Sequence, residues 1–179
     1  VAEGGIVASV DEYGKAVDGI SLGISEGERL GFFCEYGCGK KSTGCCIVQL
    51  EMATEGEIIY DGQVLNKLNK QEMRPLRQRI QVIFQDPYSS LNPRMKIGDI
   101  ISEPMMVHQT EPDKAARDSR VRELLGVCGL NPAFADRYPH EMSGGQRQRV
   151  GIARAPAVRP EFIICDEAVS APAVSIQAH

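Results

Sequence analysis

The chain lacks most of the features that would place it in a specialised class. No apolar run approaches the roughly 18 to 20 residues needed to cross a bilayer. The opening "VAEGGIVASVDEYGK" has no basic start followed by an apolar block, so it does not read as a secretory leader. There is no excess of positive charge. Lys and Arg number 20 against 24 Asp and Glu, and the net charge of −4 gives no electrostatic reason to expect nucleic acid as a partner. Internal repeats and low-complexity segments are absent as well. No initiator Met opens the chain and no terminating motif closes it at His179, so a piece of a longer protein is expected. Six cysteines are present without a pattern to use them: Cys34, Cys38, Cys45 and Cys46 crowd together, and Cys128 and Cys165 stand apart. Their spacing matches neither a small disulfide framework nor the paired ligands of a zinc site, which leaves plain thiols.

What is there is the material of one ordinary domain. The 179 residues are 42% hydrophobic and 25% charged, enough to bury a core and too few for two comfortable ones. Short strands are expected at "VDGISL" (17–22), at 28–33, and at "IQVIF" (80–84), with a hairpin over "GEIIYDGQVL" (56–65) turning at Asp-Gly. "STGCCIVQLEM" reads as a helix, and "NKQEMRPLRQR" as a short basic helix interrupted or started late by Pro75. From 96 to 130 the pattern is helical, with Asp113 as an N-cap and Gly129 as a stop. A further helix follows "SGG" at 143–145, and "EFIICDE" (161–167) is the last strand. Strands alternating with helices predict an α/β core with a largely parallel sheet, the helical block at 96–142 being inserted between two core strands.

Four motifs carry chemistry, each weak when taken alone. "GFFCEYGCGKKSTGCC" (31–46) is close to the phosphate-loop pattern G-x-x-x-x-G-K-[ST], in which backbone N–H groups curl around phosphate oxygens, the lysine meets the β/γ-phosphates and the hydroxyl meets Mg²⁺. Gln85 follows directly on a strand, where an amide can reach a metal, a water or a neighbour, although a solvated loop residue is the ordinary reading. In "SGGQRQR" (143–149), Ser143 can cap a helix while Gly144 and Gly145 let backbone approach a ligand, and a helix start favours anions. In "FIICDE" (162–167), two acids end a strand at the carboxyl edge of the sheet, where α/β folds bind ligands. Asp166 suits Mg²⁺, and Glu167 suits polarising a water.

In this order and spacing the motifs resemble the ATPase domain of ABC transporters, over nearly the whole chain from "KAVDGISL" to "VSIQA". "SGGQRQR" is that family's signature, and "FQDPYSSLNPRM" with "RYPHEMSGGQRQR" is similar to the oligopeptide, dipeptide and nickel importer subgroup. The resemblance implies a P-loop NTPase core with a mainly parallel sheet, an antiparallel β portion near the N-terminus, and a helical subdomain inserted before the signature. The implied division is an ATP-binding core at 1–95, a helical subdomain at 96–142, and the signature helix with the acidic strand at 143–179, the C-terminal part being missing. ATP and Mg²⁺ are the implied cofactors. Gly37, Cys38, Gly39, Lys40, Lys41, Ser42 and Thr43 would form the phosphate loop, and Tyr13 would stack on adenine. Ser42, Gln85 and Asp166 would hold Mg²⁺, Gln85 would sense the γ-phosphate, and Glu167 would act as general base. Ser143, Gly144, Gly145 and Gln146 would reach the ATP of a second ATPase subunit bound head to tail. The remaining implied partners are membrane permease subunits and, indirectly, a substrate-binding protein, with no nucleic acid, at the cytoplasmic face of the cell membrane.

Departures gather at the site. Cys34 stands for the loop's first glycine, Tyr36 for a small residue, and Pro172-Ala173 for a Leu-Asp pair that communicates across the dimer. Lys41 reads as an insertion, which would turn Ser42 by about 100° and move it about 1.5 Å along a helix unless the loop bulges. Pro156 falls where the signature helix runs or ends, and the family's γ-phosphate histidine has no counterpart, His179 coming too early. The expected function is the ATP-binding subunit of a peptide importer. The alternatives are a folded but catalytically impaired domain, or a non-transport ATPase of DNA repair or translation, against which "DPYSSLNPRM" speaks.

Overall fold

A computed structural model of the chain describes residues 16–31, 39–84 and 90–166. The first helix, α1, runs Lys40–Ile47. A two-residue hairpin follows, β1 (Ile59–Tyr60) against β2 (Gln63–Val64), and it turns at Asp61 and Gly62, both with positive φ. This is the Asp-Gly turn expected from the sequence. Helix α2 (Lys70–Arg79) leads into β3 (Ile80–Ile83). Two longer helices come next, α3 (Ile97–His108) and α4 (Lys114–Val127), then α5 (Gly144–Arg154) and β4 (Phe162–Cys165).

β3 and β4 are parallel neighbours, with Ile80 opposite Phe162 and Ile83 opposite Cys165. Everything from 84 to 161 therefore leaves the sheet and returns to the adjacent strand. Two apolar clusters result. The larger joins α3, α4 and α5 through Ile97, Ile101, Met105, Leu125 and Val150, all fully buried. The smaller packs Leu65, Met73 and Leu76 onto Ile80, with Phe162 and Ile164 of β4 alongside.

Local chemistry sets several boundaries. Asp113 caps α4 by accepting from Ala116 N–H at 2.9 Å, and Gly129 at φ 69 follows its end. Asn69 and Glu72 form a reciprocal capping box at the start of α2, and Pro75 lies inside that helix without interrupting it. Pro in a helix interior costs about 3 kcal/mol. The box and the burial of Met73 and Leu76 oppose that cost. Pro156 sits just beyond α5, in a 3₁₀ turn over Ala155–Val158, where its ring breaks no α-helical bond.

Two expectations are corrected. No strand forms in residues 16–31, and residues 32 and 33 lie outside the described range. Val17, Ile20, Leu22 and Leu30 all remain exposed. An alternating apolar pattern supplies propensity but not a neighbouring ladder, and among the described residues β1 and β2 pair only with each other. The second is the interruption expected at Pro75, which α2 does not show. At Lys41 the start of α1 is regular. The Thr43 N–H bonds the Gly39 carbonyl at 2.8 Å, the regular spacing of a first helical turn. Lys40 and Lys41 are simply the first two residues of α1, with no bulge to absorb an extra one.

Candidate nucleotide site

The site begins at Gly39, which has φ 87 and forms the N-cap of α1. A side chain there would overlap the Ala16 carbonyl oxygen and come within 2.9 Å of Val17 Cγ2. Only glycine fits, for conformation and for space together. Beyond it, Lys40 and Lys41 are exposed while Ser42 and Thr43 are half-buried. The first N–H groups of a helix have no intrahelical acceptor, so they offer donors and a positive dipole end to an anion. The Thr43 hydroxyl is already engaged, donating to the Gly39 carbonyl at 2.9 Å.

β4 brings the acid to this helix. A Cβ on Gly44 would lie 3.3 Å from Ile164 Cγ2, so a small residue lets α1 rest against the strand. The Asp166 N–H extends the parallel ladder by bonding the Ile83 carbonyl at 3.0 Å, which holds Asp166 at the carboxyl end of the strand pair, half-buried. Cys45 registers both ends of the site. Burial first, then Glu51 and Asp166, push its thiol up, and Lys41 pulls it down. α1 rests on β4 two residues short of Asp166, beside the carboxyl end of the strand pair, where a nucleotide of an α/β fold is expected.

The signature segment is built as a cap. The Gln146 N–H donates to Ser143 Oγ at 3.3 Å, and the Ser143 N–H donates to Gln146 Oε1 at 3.0 Å. Gly145 is exposed, and a Cβ there would meet nothing within 4 Å. Nothing within the described residues requires a glycine at that position.

Of the remaining expected residues, Tyr13, Gly37, Cys38, Gln85 and Glu167 lie outside the described residues, as do Cys34, Tyr36, Pro172, Ala173 and His179. Among the described residues no group of three His, Cys, Asp or Glu side chains could hold a metal ion. Cys45, Cys46, Cys128 and Cys165 are free thiols.

The sequence reading missed a brace behind the site. Arg79, at the end of α2, contacts Asp61 of the hairpin turn at 2.8 Å and Glu161, just before β4, at 2.7 Å. Tyr60 donates to the same Glu161 at 2.8 Å and lies under the Arg79 guanidinium. The Arg79 and Tyr60 hydrogen bonds hold the Glu161 carboxyl below its ordinary range, and burial followed by the bond to Glu161 pushes Tyr60 up to about 12. Tyr60 with Asp61, Arg79 and Glu161 come from three separate parts of the chain, so no local signal announces their meeting. A groove of about 400 Å³ is walled by Val48, Phe84, Pro104, His108 and Arg154, and none of the described phosphate-loop or signature residues lines it.

Residues 17–170 match the family described as "ABC transporter". The oligopeptide transport ATP-binding protein OppF of Bacillus subtilis is 53% identical over 165 residues, which cover 92% of this chain and 54% of that protein. The dipeptide transport ATP-binding protein DppF of Lactococcus lactis is 49% identical over 166 residues, covering 92% of this chain and 53% of that one. Among solved structures, the ATP-binding cassette MJ0796, a dimer in a post-hydrolysis state bound to ADP and Pi, matches with a TM-score of 0.78 and 32% identity, over 84% of this chain and 65% of that chain. The α/β P-loop fold expected from the motifs is the fold of these cassettes. The chain spans about half the length of the curated relatives it matches. It belongs to the ABC transporter family, and within it is similar to the ATP-binding proteins of oligopeptide and dipeptide transport.

Proposed function

We propose that this chain is the ATP-binding part of a subunit that couples ATP binding and hydrolysis to peptide import. The observation that carries the reading is the packing of α1, begun at Gly39, on β4 through Gly44 and Ile164, with Asp166 at the end of that strand. Gly39 permits the tight turn, the first N–H groups of α1 receive phosphate oxygens, and Lys40 neutralises the β/γ-phosphates. Tyr13 stacks on adenine, and Gly37 and Cys38 continue the phosphate loop. Glu167 accepts a proton from water as its oxygen attacks the γ-phosphorus, ADP being the leaving group and Gln85 orienting the reactants.

The open surface at Gly145 favours a contact from outside the chain, which suits Ser143, Gly144, Gly145 and Gln146 facing the nucleotide of a head-to-tail partner ATPase. Permease subunits and, through them, a substrate-binding protein complete the assembly at the inner face of the membrane. Among the described residues no helix is long and apolar enough to cross a membrane. The ATP-binding core, the helical subdomain and the signature segment are the working divisions of this reading.

The described residues fit ATP better than they fit Mg²⁺. Asp166 offers a carboxylate, but Ser42 is the third residue of α1, and the pattern asks for the hydroxyl at the second. That observation favours a second reading, a domain that binds ATP and turns it over poorly.

The experiment is uptake of a labelled peptide by cells lacking the corresponding ATP-binding subunit, complemented with the full-length protein. Uptake should return and should disappear with Glu167→Gln while ATP binding persists. Peptide uptake unaffected by Glu167→Gln would sink the proposal. ATP turnover by the same protein separates the two readings.

A further inference from the structure

The residue after Lys40 decides what this loop can do with a metal. In G-x-x-x-x-G-K-[ST] the hydroxyl directly follows the lysine and is the loop's metal ligand. Here that place holds Lys41. Because α1 is regular from its first residue, nothing slides Ser42 back into it. Ser42 is turned by about 100° around the helix and displaced about 1.5 Å along it. Thr43 is further on again, with its hydroxyl donated to the Gly39 carbonyl.

At the metal ligand's place there is instead an exposed ammonium on a flexible stem, one helical turn before Gly44, which packs on Ile164 two residues short of Asp166. Their charges act on one side chain in opposite senses, Lys41 lowering the Cys45 thiol and Asp166 raising it behind the larger effect of burial. An ammonium cannot ligate a cation. It repels one, and it competes for the same phosphate oxygens and the same carboxylate. A lysine is also a sound phosphate binder in its own right, acting as a point charge with three donors.

We propose that Lys41 takes the place of the divalent cation at the phosphate site, so that this chain binds a nucleoside triphosphate in its metal-free form. The proposal rests on the nucleotide-binding reading above. It assigns to Lys41 a specificity role, the choice between a metal-loaded and a metal-free nucleotide. Lys40 keeps the lysine role of the pattern, and Lys41 adds the second positive charge that the metal brings elsewhere.

The test is calorimetric titration of the 179-residue chain with ATP, in EDTA and in Mg²⁺, beside Lys41→Ser and Lys41→Met. The parent should bind in EDTA, and Mg²⁺ should leave its affinity unchanged or lower it. Lys41→Ser should lose about tenfold in EDTA and regain it with Mg²⁺. Lys41→Met, which keeps the stem and deletes the charge, should weaken in EDTA without rescue by the metal. A parent that loses about tenfold or more on adding EDTA overturns the proposal. So does a parent that binds in neither buffer while Lys41→Ser binds with Mg²⁺, because Lys41 then only blocks the site. If none of the three binds ATP in either buffer, the nucleotide reading itself falls and takes the proposal with it. Circular dichroism before titration confirms that the variants are folded, as expected for changes at an exposed helical position.

Discussion

At the scale of single residues, two glycines have opposite reasons to exist. Gly39 is demanded from within, since its backbone is left-handed and the Ala16 carbonyl fills the space a Cβ would need. Gly39→Ala meets both objections. A left-handed conformation costs a non-glycine residue roughly 1 to 2 kcal/mol, and the steric overlap adds to it. The expected outcome is a lower thermal midpoint together with loss of ATP binding, read by differential scanning calorimetry and by titration. Gly145 has no such internal reason. The sequence displayed both glycines equally well inside their motifs. It could not show which was held in place by its own chain, because that depends on Ala16 passing behind Gly39.

At the scale of elements, α5 allows the two roles of the signature segment to be separated. Ser143→Ala removes the cap and should cost about 1 kcal/mol in urea unfolding. Gly145→Ala places a methyl group in open space and should leave the isolated chain as stable, or raise stability by about 0.5 to 1 kcal/mol. It should nonetheless lower ATP turnover by the full-length protein at concentrations where two copies meet. Unchanged turnover would remove the argument that this glycine serves an approach from outside. Boundaries written in local chemistry, such as the Asp113 cap and the Gly129 stop of α4, were legible before any coordinates. The segments at 17–22 and 28–31 were not, because a strand depends on a neighbour that the local pattern does not contain. The setting of Lys41 needed the structure for a related reason. Counting residues detects one too many between lysine and hydroxyl, but only the hydrogen bonding of α1 shows that the helix takes it into its own register.

At the scale of the whole molecule, burial concentrates in the helices that leave the sheet between β3 and β4. Leu125, with no exposed surface, touches that cluster, whereas Leu50 at the end of α1 is 57% exposed. Leu125→Ala should therefore cost about 2 to 5 kcal/mol in urea unfolding. Leu50→Ala should stay within about 0.5 kcal/mol of the parent. Equal effects would mean that stability is not centred where the burial is. The α/β class could be read from alternating elements, and so could the insertion of a helical block between two core strands, whereas the adjacency of those strands could not. The Arg79 brace could not, because Tyr60, Asp61, Arg79 and Glu161 meet only after the fold has closed.

The pairing of Ile80 with Phe162 has a consequence in time as well as in space. Joining those strands closes a loop that contains α3, α4 and α5, and the entropy of that closure must be met before the ladder returns anything. The helices between the strands pack on one another across shorter spans of chain than the strand pairing, so they can form first and shorten the span that remains to be closed. The acid at the end of β4 is thus delivered to α1 as a late event in folding. A chain with its helices intact and its sheet unpaired would hold Gly39 and Asp166 without bringing them together, so competence to hold a nucleotide should appear in refolding after helical structure does.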